Sequence, residues 1–175
     1  MDLKKYIRSI PDYPKKGILF RDITTLIKDS KAFNYSIDQI IDKIKNLNFQ
    51  KIVAIESRGF LFASAIAYKM SKSLILIRKK NKLPAERYSE DFELEYGKAT
   101  VEIHKDSIAA KDKVIIIDDL IATGGTAMAA AKLVEKSGGK IESFVFVINL
   151  FDLGGKDLLE KNSYKSVVLV NFPGH

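Results

Sequence analysis

The stretch Lys113 to Met128, KVIIIDDLIATGGTAM, constrains the fold of this chain more than any other. Val114 to Ile117 are consecutive β-branched residues, the pattern of a strand buried on both faces of a parallel sheet. They run directly into two carboxylates, Asp118 and Asp119. The small-residue turn Ala122, Thr123, Gly124, Gly125 and Thr126 follows, and Ala127 to Val134 has the composition of a helix. Such a turn suits a phosphate: glycines let the backbone come close, threonines add hydroxyl donors, and the helix start offers unpaired N–H groups. The carboxylates would be repelled by that phosphate, so they suit sugar hydroxyls or a divalent cation beside it. A ligand with both a phosphate and a ribose satisfies every group. The plainer alternative, a βα turn with an Asp N-cap, accounts poorly for paired acids directly ahead of TGGT.

The remaining chain repeats the strand–loop–helix unit. At 175 residues, with 46% hydrophobic and 29% charged content, it is sized and composed for one folded domain, without repeats or linkers. Residues 2–9 predict a short helix, and Pro11, Pro14 and Gly17 an irregular segment. Phe33 to Leu47 has the apolar spacing of an amphipathic helix. Ile52 to Ile55 reads as a buried strand, Glu56, Ser57, Arg58 and Gly59 as a loop, and Phe60 to Met70 as an apolar helix. Leu74 to Ile77 is a third strand, ending in the basic run Arg78 to Lys82. Residues 88–97 are polar and lead into a strand at 99–103, predicting a hairpin able to close as a lid. A helix at 127–136, a strand at 144–150, a break at Gly154 and Gly155, a helical turn at 158–161 and a strand at 167–170 complete the reading. The result is an α/β fold, a doubly wound and mostly parallel sheet. The loops at 56–59, 78–82 and 118–126 follow strands and converge on one edge, where ligands gather.

Several of these residues also have bland explanations. Phe20 could be core, the ESRG residues a helix cap with an exposed ion pair, and the basic run a solvated face. The absence of cysteine excludes a disulfide, a thiol nucleophile and a cysteine metal site, and His104 and His175 are too few for a histidine zinc site. The net charge of +7 fits a polyanionic small substrate as well as a nucleic acid, and the lysines are spread along the whole chain. No segment approaches the ~18 apolar residues of a membrane span, so a cytoplasmic location is the expectation.

KVIIIDDLIATGGTAM closely resembles the phosphoribosyl-pyrophosphate signature of the type I phosphoribosyltransferases. IPDYPKKGILFRDIT resembles the amino-terminal base-recognition segment of the adenine phosphoribosyltransferases, ESRG their diphosphate loop, RKKNKLPAERY their basic segment, and ELEYG their flexible catalytic loop. The motifs occur in family order from Ile10 to Gly174. The resemblance implies transfer of ribose 5-phosphate from phosphoribosyl pyrophosphate to N9 of adenine, giving AMP and diphosphate, with Mg²⁺ and in a homodimer.

It further implies that Ala122, Thr123, Gly124, Gly125 and Thr126 hold the 5′-phosphate. Asp118 and Asp119 would hold the ribose hydroxyls, in part through Mg²⁺, as solvent-facing loop acids. Glu56, Ser57, Arg58, Arg78, Lys79 and Lys82 would serve the diphosphate; in the family the ESRG loop often does so through a cis peptide, a geometry that the sequence leaves open at Glu56–Ser57. Leu19 and Arg21 would offer backbone groups to the purine edge, with Phe20 and Leu120 on its two faces. Glu95 would manage the proton on N7 or N9, and Tyr96 would shield the site. Two positions depart from the family: Lys16 stands where proline is common, and Ala85 where glycine is usual. A 6-oxopurine transferase is the rival enzyme, and a nucleic-acid-binding sensor of phosphoribosyl pyrophosphate the rival of another class.

Overall fold

The computed structural model describes residues 1–93 and 97–174. A two-stranded antiparallel sheet pairs β1 (Arg8–Ile10) with β2 (Phe20–Asp22). The main sheet has seven strands: β3 (Lys51–Ile55), β4 (Ser73–Lys79), β5 (Arg87–Glu93), β6 (Lys98–His104), β7 (Lys113–Ile121), β8 (Lys140–Leu150) and β9 (Ser166–Phe172). Their order is β5-β6-β4-β3-β7-β8-β9. The strands from β4 to β9 in that order pair in parallel, and β5 and β6 form an antiparallel hairpin on the β4 edge.

Five α-helices cover the sheet: α1 (Thr24–Lys28), α2 (Ser30–Ile44), α3 (Gly59–Met70), α4 (Gly125–Lys136) and α5 (Gly155–Lys161). One core joins α1, α2 and α3 to one face, through Leu26, Ile37, Ile40, Phe62 and Ile66 against Ile52, Ile115 and Val147. The second joins α4 and α5 to the other face, through Ala130, Leu133, Val134 and Leu159 against Val53, Ile116 and Phe144. With both faces covered, the uninterrupted apolar runs of β3, β7 and β8 follow directly. No helix among the described residues is long and apolar enough to cross a membrane.

The structure corrects the sequence reading at several places. Residues 2–9 are a single 3-10 turn, Leu3–Tyr6, capped by the Asp2 carboxylate, and then strand β1, because Ser9 pairs with Arg21 across the small sheet. Helix α2 starts at Ser30 rather than Phe33, where the Asp29 carboxylate accepts the Ala32 N–H at 2.9 Å. Asp118 and Asp119 belong to β7 rather than to a loop, and Asp119 is only 4% exposed, so it does not face solvent. Arg78 and Lys79 likewise end strand β4.

Helix α1 was not anticipated. Asp22 supplies its start, accepting the Thr24 N–H at 2.9 Å and ion-pairing with Arg8 at 2.5 Å. The Thr24 hydrogen bond, reinforced by Arg8, pulls the Asp22 carboxyl down to about 2. A depressed carboxyl stabilises the fold above its unfolded value of about 4 and ceases to do so as the pH falls through the folded value. Asp22→Asn is therefore expected to lower stability by about 1 kcal/mol at neutral pH. The gap between variant and parent should close between about pH 4 and pH 2 in acid-unfolding curves.

Candidate active site

The parallel register brings the chemical loops to one level. Ile55 pairs with Ile77 and Ala54 with Ile117, so Glu56, the first residue past β3, lies level with Arg78 of β4 and Asp119 of β7. The peptide bond between Glu56 and Ser57, whose geometry the sequence leaves open, is cis.

A cleft of about 120 Å³ opens over the β7–α4 turn, lined by Asp118, Leu120 and the residues from Ala122 to Thr126. Gly124 takes φ +89°, a left-handed conformation that favours glycine, and serves as N-cap of α4. No side chain caps the helix, so its first N–H groups remain available to an anion. The turn is held from outside by Gly155, whose N–H donates to the Ala122 carbonyl at 2.9 Å. A Cβ on Gly155 would lie 2.3 Å from that oxygen and 2.8 Å from the Gly124 nitrogen. The sequence reading took Gly155 as a chain break and missed this support, which joins positions far apart in the chain.

The two acids differ. Asp118 is half-buried, and its Oδ1 accepts the Asp119 N–H at 2.8 Å. Burial and the neighbouring Asp119 charge hold the Asp118 carboxyl well above the usual carboxylate range. Burial also raises Asp119, against the opposing pull of the Arg58 guanidinium. Arg58 Nε lies 2.9 Å from Asp119 Oδ2, an ion pair outside hydrogen-bond alignment, so this buried oxygen has no hydrogen-bond partner. The Arg58 guanidinium also lies 5.2 Å from the centre of the Phe20 ring. One side chain thus spans from the acids to Phe20. Phe20 is half-buried, with Tyr13 edge-on at 5.2 Å, and does not belong to either core.

Glu56 and Arg78 form an ion pair at 3.0 Å, and Glu56 accepts the Lys79 N–H at 2.7 Å. Glu56 therefore orients the basic segment rather than offering itself to a phosphate. Burial works to raise its carboxyl, but these hydrogen bonds and the Arg78 charge prevail and hold it below its ordinary value. Glu102, also missed by sequence reasoning, is 2% exposed and holds the same segment, accepting the Asn81 N–H at 3.0 Å and pairing with Arg87 at 3.1 Å. Its place as one glutamate in an alternating strand gave no signal. Lys79 and Lys82 are exposed at this edge.

Leu120 is half-buried at the cleft. The Arg21 side chain turns away from the cleft towards the end of β9. Glu95 and Tyr96 lie outside the described residues. The β5 arm of their hairpin crosses the start of α4, where a Cβ on Gly125 would meet the Glu93 carbonyl at 3.2 Å, and Lys132 pairs with Glu90 at 2.9 Å.

Comparison with known proteins gives one consistent relationship. The phosphoribosyl transferase domain family matches residues 24–172. The adenine phosphoribosyltransferase of Pelagibacter ubique is 69% identical over the full length of both chains. The crystal structure of adenine phosphoribosyltransferase from Thermoanaerobacter pseudethanolicus superposes with a TM-score of 0.93 at 46% identity, covering 98% of each chain. That of the Saccharomyces cerevisiae enzyme, complexed with an imino-altritol bisphosphate and adenine, gives 0.89 at 35% identity and 97% of each. A pair of adjacent acids, one half-buried and one buried, beside a glycine turn, and full-length likeness of this order, lead to one conclusion: the chain belongs to the phosphoribosyltransferase family, with the activity of an adenine phosphoribosyltransferase in purine salvage, transfer of ribose 5-phosphate from phosphoribosyl pyrophosphate to N9 of adenine.

Proposed function

We propose that the β7–α4 cleft binds the ribose 5-phosphate moiety and that Phe20 binds the adenine. The observation that carries this reading is the cleft over the β7–α4 turn, lined by Asp118, with the next residue's buried Asp119 Oδ2 left as an acceptor without a hydrogen bond. A ribose hydroxyl supplies the missing donor. The first N–H groups of α4 and the Thr123 and Thr126 hydroxyls take the phosphate. Arg58 touches both Asp119 and Phe20, which favours ribose and base subsites that adjoin as they do in a nucleotide.

Breaking the anomeric C–O bond leaves a sugar cation and a polyanionic diphosphate. Arg58, Arg78, Lys79 and Lys82 stabilise that departing charge, with Glu56 and Glu102 fixing where the basic segment sits. Ser57 contributes backbone N–H. Leu19 and Arg21 offer main-chain groups to the purine edge, and Leu120 closes the face opposite Phe20, which positions N9 for attack. Glu95 accepts the purine proton and Tyr96 shields the site. The crossing of α4 by the β5 arm favours these last two roles.

Among the described residues no group of three or more metal-ligating side chains gathers. Asp118 and Asp119 are the residues that would hold Mg²⁺, and two adjoining carboxyls would favour a cation there. The ion would supply neutralisation of diphosphate charge.

A homodimer belongs to the same proposal. Leu61 and Tyr68 lie seven residues apart on α3, and with Leu74 and Leu76 of β4 they expose apolar surface on one side of the sheet. Light scattering should give twice the 19.7 kDa chain mass.

The base assignment is tested by steady-state kinetics with adenine, hypoxanthine and guanine. Phe20→Ala is expected to raise KM for adenine about 10-fold or more, the worth of one base–aromatic stack, with KM for phosphoribosyl pyrophosphate little changed. An unchanged adenine KM would contradict the assignment.

A further inference from the structure

We propose that the Arg21 side chain is a positioning residue for the purine, clamping the base-recognition segment to the residues that follow β9. The inference rests on residues 19–21 being the adenine subsite. Among the described residues, strand β2 has only the three-residue β1 as its sheet partner, and a hairpin of that size does not hold itself in place. Its anchor is the Arg21 guanidinium, 5% exposed. Nη2 donates to the Pro173 carbonyl at 2.7 Å, Nη1 donates to the Ser9 hydroxyl, and the Phe172 ring lies 4.5 Å away, within cation–π distance. Arg21 Nε has no partner, so the side chain accepts a desolvated donor to reach this position.

The residues it grips are themselves fixed. The Gly174 N–H donates to Asp152 Oδ1 at 2.6 Å, and the Phe151 N–H to the Phe172 carbonyl at 3.1 Å. Asp152 lies in the loop that ends at Gly155, which supports Ala122 of the phosphate turn. A continuous chain of contacts therefore runs from Arg21 through Pro173 and Gly174, Asp152 and Gly155 to Ala122. It sets the position of the base segment relative to the turn that holds the 5′-phosphate. The Arg21 side chain itself does not touch the purine.

The test uses Arg21→Met, a truncation after Phe172, the two combined, and Phe20→Ala. KM for adenine, KM for phosphoribosyl pyrophosphate, kcat and the thermal midpoint are measured for each. The clamp predicts that Arg21→Met and the truncation each raise KM for adenine about 10-fold while KM for phosphoribosyl pyrophosphate stays within about 2-fold. The combined variant should be no worse than either alone, because both cut the same link. Arg21→Lys, which keeps the charge but loses the fork, should fall between. Equal rises in both KM values with a lowered midpoint, or an unchanged adenine KM in both single variants, would overturn the clamp. Should Arg21→Met fail to fold, the truncation alone carries the same split. If Phe20→Ala also leaves adenine KM unchanged, the base subsite itself is misassigned, and the clamp falls with it.

Discussion

Asp118→Asn is expected to make the protein more stable and nearly inactive. The Asp118 carboxyl is raised by burial and by Asp119, so its ionised form destabilises the fold at neutral pH. Asparagine keeps the oxygen that accepts the Asp119 N–H and removes the charge. A gain of about 1–3 kcal/mol, or roughly 3–8 °C in thermal midpoint, is expected at neutral pH. The sign fixes the pH dependence. Below about pH 4 the carboxyl is protonated in folded and unfolded chains alike and the gap vanishes; it opens as the pH rises above that unfolded value and is complete once the pH has passed the raised folded value. Turnover should fall about 100-fold or more, the usual loss when a preorganised polar group at the reacting sugar is removed. Asp119→Asn should lose turnover similarly but gain less stability, because it also breaks the Arg58 pair. A drop in midpoint that tracks the lost activity would contradict the account for both.

Gly155→Ala is the second large effect. Its Cβ would stand 2.3 Å from the Ala122 carbonyl and 2.8 Å from the Gly124 nitrogen, both backbone atoms that cannot rotate aside. The β7–α4 turn must shift, with a stability cost of about 1–3 kcal/mol and, with that turn as the proposed phosphate site, a rise in KM for phosphoribosyl pyrophosphate of roughly 30-fold or more. Gly154→Ala is the control. Nothing lies within 4 Å of its Cβ, and its φ of +76° adds only about 1–2 kcal/mol of local strain. It should lose stability while leaving that KM nearly unchanged. Equal KM changes in the two variants would sink the assignment of Gly155 as a support of the turn.

What the sequence disclosed and what it hid divide by range. Buried parallel strands announce themselves as β-branched runs, so β3, β4 and β7 were legible, as were α3 and α4 behind them. The β7–α4 turn was legible because its glycines, threonines and the acids before it are contiguous. The burial of Asp119 had no such signal: Ile117 packs into one core and Ile121 into the other, so simple alternation along β7 does not carry through the two acids. The two acids read instead as the start of a loop. Contacts between distant positions left no local trace. Gly155 under Ala122, Arg21 on Pro173, and Glu102 behind Asn81 each pair residues whose neighbours in sequence say nothing of the other. The β1–β2 pairing was obscured by the prolines and glycine between them, which mark a turn without fixing what it joins.

The most direct measurement is a crystal structure of the protein with AMP. The account predicts the phosphate on the N–H groups at the start of α4, the ribose diol on Asp118 and Asp119, and the purine on the Phe20 face with the Arg58 guanidinium moved off that ring. A phosphate seated instead among Arg78, Lys79 and Lys82, or a purine away from Phe20, would contradict it.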